Sequence, residues 1–252
     1  MHTPTPIDDA AAIGELAAEN PARIRLFERL RLDYCCGGGS SLSDACRRRG
    51  LDLAVVRAGI EAIDDVGGAS PGPAPERDWR QAGLAEFCEH VVAVHHGYLR
   101  RELPRISELL ATVVRVHGAD CLDFEILERA FASLRGVLEE HIEEEEEAVF
   151  PSCVALERGE AAELSGATIE KHREEHEAVG TKLAALRILA GDYELSQALC
   201  STHGALLQAL LGLEGDLHKH IHEENNVLLP RASELIATTL APTVALESNA
   251  RL

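Results

Sequence analysis

Two stretches of this sequence carry one pattern in one register, and that repeat limits what the chain can fold into. Leu138 to Pro151 is LEEHIEEEEEAVFP, and Leu217 to Pro230 is LHKHIHEENNVLLP. Each holds a His, a Glu four residues later and a Pro ten residues after the His: His141, Glu145 and Pro151, then His220, Glu224 and Pro230. The offset between the two copies is 79 residues at all three positions. On an α-helix this spacing stacks imidazole and carboxylate on one face. One such pair is common; two in the same frame, each closed by a proline, imply two helices with one task. Imidazole plus carboxylate suits borderline cations such as iron, and the pairing points to a two-metal centre. The alternative is a pair of solvated acidic helix ends, to which the run Glu143 to Glu147 lends weight. It does not explain the shared register.

Both repeats lie on longer apolar stripes with steps of three and four. The first stripe is Cys88, Val92, His96, Leu99, Leu103, Ile106, Leu110, Val113 and His117. The second runs from Phe124 through Leu138, His141 and Glu145 to Ala148; the third from Ile169 through His172 and His176 to Leu186; the fourth from His203 through Leu217, His220 and Glu224 to Val227. Breaks are expected at residues 117–120, 151–165 and 191–196, with a kink at Pro104. This predicts an all-α protein whose main part is an antiparallel four-helix bundle over 79–235. Residues 1–66 form a small helical unit, with Asp8 or Asp9 capping a first helix, Pro21 opening a second, and Ser41 or Ser43 capping a third. The Gly/Pro-rich stretch 67–78 is a linker, and 236–252 is a C-terminal tail.

Polar residues on a core-facing stripe must be paired or bound. Positions 96 and 141 are mirror images about 118.5, the first predicted hairpin turn, so His96 falls opposite His141. Reflection of position 220 through the turn at 191–196 lands nearer 167–172, so His172 competes with His176. His117 is 21 residues beyond His96, about 30 Å along a straight helix, and is expected to be a turn or capping histidine. The same distance argument removes His203. His90, His95, His218 and His222 fall off the stripes and are expected on solvated surface, with His222 and Glu223 available as outer supports. Bridging carboxylates with imidazoles suit iron or manganese better than magnesium or a closed zinc site.

The second chemical feature is Cys35-Cys36 ahead of Gly37-Gly38-Gly39. A disulfide between neighbours would be strained, and glycine amides near a thiol are expected to lower its pKa. The pair suits transient metal handling or redox exchange; the alternative is two small buried residues before a helix stop. The seven cysteines are irregularly spaced, which argues against a disulfide framework and for a reducing cytoplasm. The formal net charge of −19 disfavours nucleic acid and anionic membrane as partners. The N-terminus lacks a secretory pattern, and no apolar run has membrane-spanning length.

Asp33-Tyr34-Cys35-Cys36-Gly37-Gly38 and the stretch Glu223 to Arg231 together resemble the RIC (repair of iron centres) family of di-iron proteins, YtfE/ScdA type, over residues 8 to 235. The resemblance implies an ScdA-type N-terminal domain and a hemerythrin-like bundle with two non-haem Fe ions. It implies a role in repairing iron–sulfur clusters damaged by nitrosative or oxidative stress, with damaged iron–sulfur proteins as clients. Carried over by position, the metal ligands are His96, His141, Glu145, His176, His220 and Glu224, the two Glu acting as bridges; this favours His176 over His172. His117 also matches a family histidine. Cys35 and Cys36 take the reactive role. Two other classes compete: an oxygen or nitric oxide binding protein or sensor, and a di-iron nitric oxide reductase. A homodimer is the assembly kept in view.

Overall fold

The computed structural model describes residues 7–66, 78–118 and 123–240. Among these, the regular structure is helical, apart from one isolated bridge between Ala12 and Ser41. The predicted linker lies almost wholly outside the described residues, as do the tip of the first bundle turn and most of the tail. Chain contacts divide the protein into two units. One holds residues 1–82 together with Ile221–Pro230; the other holds Gly83–His220 and residues from Arg231 onward.

In the N-terminal unit α1 (Ile13–Glu19) starts later than expected, with Ala12 as its cap and no capping side chain. Asp8 instead accepts from the Ala10 amide. Loop carbonyls receive the helix's first amides: Ile13 N–H donates to Ser40 O (2.9 Å) and Gly14 N–H to Gly38 O (2.8 Å). A backbone partner makes a side-chain cap unnecessary. Asn20 and Pro21 open a 3-10 turn, the Asn20 side chain accepting from Ala22 N, and α2 (Ile24–Leu30) follows. Ser41 caps α3 (Leu42–Arg49), and α4 (Leu53–Val66) completes the unit. Phe27, Leu42, Ile13 and Ile60 are fully buried and form its core. Arg23 is buried among them: its guanidinium forks onto Asp64 at 2.9 and 2.7 Å and donates to the Leu16 carbonyl at 2.9 Å.

The second unit is built on four helical arms. The first, residues 84–117, comprises α5 (Leu84–Val91), a π-turn (Val92–His96) and α6 (Gly97–His117). The second, residues 123–157, comprises α7 (Asp123–Glu144), a π-turn (Glu145–Val149) and α8 (Phe150–Glu157). The third is α9 (Gly166–Leu189), capped by Ser165. The fourth begins with α10 (Ser201–Glu223) and ends with α11 (Leu229–Leu240), joined by a π-turn (Glu224–Leu228) in the stretch Ile221–Pro230 that is grouped with the N-terminal unit. Leu99, Ile106, Leu110, Phe131, Leu134, Leu206 and Leu213 are at most 1% exposed and fill the bundle's centre. The Glu157 carboxylate accepts from the first amides of α5, at Leu84 (2.7 Å) and Ala85 (3.1 Å). No helix among the described residues is long and apolar enough to cross a membrane.

The prolines act differently from expectation. Helices continue past Pro151 and Pro230 instead of ending there, and α6 runs through Pro104. Proline lacks an N–H, and its ring crowds the carbonyl four residues back. A widened turn just ahead of each repeat proline absorbs this: Phe150 N–H bonds Glu145 O, and Leu229 N–H bonds Glu224 O, both five residues back. The predicted tail likewise begins as helix, since α11 extends to Leu240.

Candidate metal centre

Each of the three π-turns has a candidate ligand at one end: His96 closes the first, Glu145 opens the second and Glu224 opens the third. Such bulges recur at functional sites because they re-aim side chains without ending the helix. Here the six predicted metal residues come together, each at most 6% exposed. One set is His96, Glu145, His220 and Glu224; the other is His141, Glu145, His176 and Glu224, with the donor atoms of each set within 4.8 Å of one another. The two carboxylates belong to both sets.

Glu145 shows the division most plainly. Its Oε1 is 3.1 Å from His141 Nε2 and 4.0 Å from His176 Nε2. Its Oε2 is 3.2 Å from His96 Nε2 and 4.0 Å from His220 Nε2. One oxygen therefore serves each pair of imidazoles, as a bridging carboxylate requires. His141 Nε2 and His176 Nε2 stand only 2.9 Å apart, an approach that a shared proton or cation stabilises.

Two acidic residues hold His96, His141 and His172 from behind. His96 Nδ1 lies 2.6 Å from Glu146 Oε1, and Arg100 donates to the other oxygen of Glu146 at 2.9 Å. Arg100, and then His96, hold the Glu146 carboxyl below its usual range. Glu175 Oε2 receives both His141 Nδ1 (3.1 Å) and His172 Nδ1 (3.2 Å), and Lys171 sits 3.3 Å from its other oxygen. A carboxylate on Nδ1 fixes the tautomer and leaves Nε2 for the metal.

Two histidines stand where the sequence did not put them. His95 and His222, expected on the surface, are each 3% exposed. The π-turn accounts for His95, because its wider path turns two consecutive residues inward. The His95 ring stacks on His220 at 5.1 Å, and its Nδ1 lies 3.1 Å from Asp216. His222 packs within the N-terminal unit, edge-on to Tyr34 at 5.3 Å, with Nδ1 3.2 Å from the Tyr34 carbonyl. His172 is 1% exposed, and its Nε2 has no hydrogen-bond partner. Burial pushes its pKa down, keeping the imidazole neutral. His117 lies at the end of α6 beside Cys200, and His203 is buried near the start of α10.

The Cys35–Cys36 loop belongs to the N-terminal unit. The two sulfurs are 3.9 Å apart and unbonded, and Cys35 Sγ lies 3.4 Å from Asp33 Oδ1. Hydrogen bonding to Cys36, then burial, then the Asp33 charge raise the Cys35 thiol well above its ordinary value. This reverses the expectation of a lowered pKa: a carboxylate and a second thiol face the sulfur. The glycines serve close packing. A Cβ on Gly38 would come within 2.7 Å of the Tyr34 carbonyl and 2.5 Å of Asn226 Oδ1, and one on Gly14 would also strike Asn226. The Asn226 amide donates to the Cys35 carbonyl at 3.3 Å.

A helical bundle with two buried His/Glu sets sharing their carboxylates defines a hemerythrin-like cation-binding protein. The family described as Hemerythrin HHE cation binding domain matches residues 89–232. ScdA_N, described as a domain of unknown function (DUF542), matches residues 9–64. The chain is 34% identical over 220 residues to the iron-sulfur cluster repair protein YtfE of Edwardsiella ictaluri, covering 87% of this chain and 95% of that one. It is 31% identical to the protein of the same name from Escherichia coli O8, with the same coverage. Against that from Yersinia pseudotuberculosis the identity is 32%, over 88% of this chain and 96% of the other. The chain belongs to the hemerythrin HHE family and, within it, to the YtfE-type proteins of iron–sulfur cluster repair. The cofactor implied is a di-iron centre, and the donor set fits: imidazoles in two groups and two buried carboxylates offer two cations a shared, charge-neutralising set of donors.

Proposed function

We propose that this protein repairs iron–sulfur clusters by supplying iron from a di-iron centre held by His96, His141, Glu145, His176, His220 and Glu224. The observation that carries the reading is the shared carboxylate: one oxygen of Glu145 faces His141 and His176, the other His96 and His220. His172 is an added donor on the His141 side, since leaving a buried imidazole nitrogen unmet costs on the order of 1–3 kcal/mol. When bound, the irons supply ligand exchange and electron transfer. Glu146 and Glu175 hold the imidazole tautomers, and the buried walls limit water at the carboxylates. The clients are damaged iron–sulfur proteins, and the compartment is the cytoplasm, where free cysteines persist.

The distance argument gives a direct check. His96→Ala is expected to lose most of its iron, whereas His117→Ala keeps it, because the His117 imidazole lies against Cys200. Metal analysis of anaerobically purified variants, with circular dichroism for folding, decides; equal iron loss in both would overturn the ligand set.

The Cys35–Cys36 loop is the transfer element. Asp33, Cys35 and Cys36 each offer a donor atom within 4.8 Å of the others, a soft set for a transient iron ligand. The high thiol pKa of Cys35 means that metal capture there releases a proton and stays weak. A Cys35→Ala, Cys36→Ala variant is expected to retain its iron and near-wild-type thermal stability while losing most iron transfer to an apo iron–sulfur protein. Unchanged transfer rates would assign the pair to packing alone.

A further inference from the structure

A second reactive cluster lies far from the metal residues. Cys200 is 20 residues before His220, which is about 30 Å along a helix. Its carbonyl accepts from Gly204 N–H at 2.9 Å, so Cys200 occupies the capping position of α10, and His203 N–H points at its sulfur at 3.5 Å. A serine hydroxyl is the usual occupant there; a sulfur in that position gains most from the amides when it carries charge. From the end of α6, His117 Nε2 lies 3.3 Å from the same sulfur. Phe124 of α7 holds both histidines, edge-on to His203 at 5.1 Å and tilted against His117 at 6.2 Å.

The two imidazoles face different partners. His203 Nδ1 accepts from the Leu199 amide at 3.2 Å, and burial together with His117 lowers its pKa, so it is neutral. His117 is half-buried and faces the thiol. Cys200 is also only half-buried, and its neighbour Leu199 is 60% exposed, so the sulfur is reachable from solvent. The His203 amide, then His117, lower the thiol pKa below its ordinary value.

We propose that Cys200 and His117 form a nucleophilic pair that makes Cys200 a site of thiol exchange with small-molecule disulfides. The thiol proton passes to His117. The sulfur attacks one sulfur of the disulfide, forming a new S–S bond as the old one breaks. The departing thiolate takes the proton from His117. Cys200 is oxidised to a mixed disulfide and one half of the disulfide is reduced to a thiol, so atoms and electrons balance. Exchange needs nothing beyond a thiolate and a proton for the leaving group, and this cluster offers both.

The test uses the full iron-loaded chain and bis(2-hydroxyethyl) disulfide, with peptide-resolved mass spectrometry at neutral pH. Cys200 is expected to react faster than Cys36 and to slow about tenfold in His117→Gln, the size of one charge-assisted hydrogen bond. Cys200 reacting no faster than Cys36, or at the same rate in the variant, would overturn the proposal. If the variant does not fold, the wild-type pH profile decides. Among the described residues, the titratable side chain facing the sulfur is His117 from α6; His203 of its own helix offers its backbone amide, its imidazole being held by the Leu199 amide, and α7 contributes the uncharged Phe124. Rates that fall well under tenfold between pH 8 and pH 7 support the pair; the roughly tenfold drop of an ordinary thiol excludes it.

Discussion

Glu145→Leu is expected to strip the bundle of nearly all its iron while leaving it folded. Both oxygens of Glu145 are in use, one toward each group of imidazoles, so a single substitution removes a donor from both sets. Glu224 also belongs to both sets, but each set is left with one carboxylate in place of two. The side chain is 1% exposed, and an ionised carboxylate there is costly without cations. Leucine has a similar reach and no charge, so the metal-free variant is expected to melt at or above the temperature of the metal-free wild type. Metal analysis with calorimetry on both apo forms checks each half. Retention of two coupled irons would remove Glu145 from the bridging role.

Arg23→Ala carries the largest effect expected on stability. The guanidinium is 7% exposed and ties the end of α1 to α4 through a fork on Asp64, with a further bond to the Leu16 carbonyl. Truncation leaves that carbonyl without the guanidinium and Asp64 with the Asn20 amide, at 2.8 Å, but no charged partner. Breaking a buried pair costs roughly 3–5 kcal/mol. Asp64 keeps some solvent, with 23% of its side chain exposed, so about 3 kcal/mol is expected. Lysine would recover little, since it lacks the planar fork. Denaturant unfolding followed by a probe in the N-terminal unit measures the loss; a change below about 0.5 kcal/mol, the size of a surface substitution, would refute it.

The burial and grouping of the candidate metal residues were legible because helical spacing is a property of sequence alone. His172, His176, Val179, Leu183 and Leu186 are buried just as the third stripe requires. The stripes slip where the chain leaves α geometry. On the second arm Ala148, the predicted next core position, is exposed, and Val149 is buried instead. On the first arm Val92 is only half-buried, while Val91 and His95 go inside. In both places a π-turn adds a residue and rotates the following face. A period-based reading has no term for that insertion, although a proline just beyond an otherwise unbroken stripe was a signal for two of the three turns. The inward histidines His95 and His222 were missed for tertiary reasons: the first needs the π-turn, the second needs Tyr34 beside it. The Cys35 thiol was misjudged because its neighbour Cys36 hydrogen-bonds to it and the sulfur is buried, with the Asp33 carboxylate adding to both.

The grouping of Ile221–Pro230 with the N-terminal unit bears on how the chain can be cut. A fragment ending at the linker carries four helices and most of a core, yet lacks one wall. Gly14 and Gly38, bare so that Asn226 can fit against them, would face an empty slot, and the carbonyls of Tyr34 and Cys35 would lose the amide that holds them. The thiol loop is thus shaped by ten residues synthesised long after it. A ribosome releasing this chain has made every cysteine of the loop well before it makes the surface that gives the loop its form.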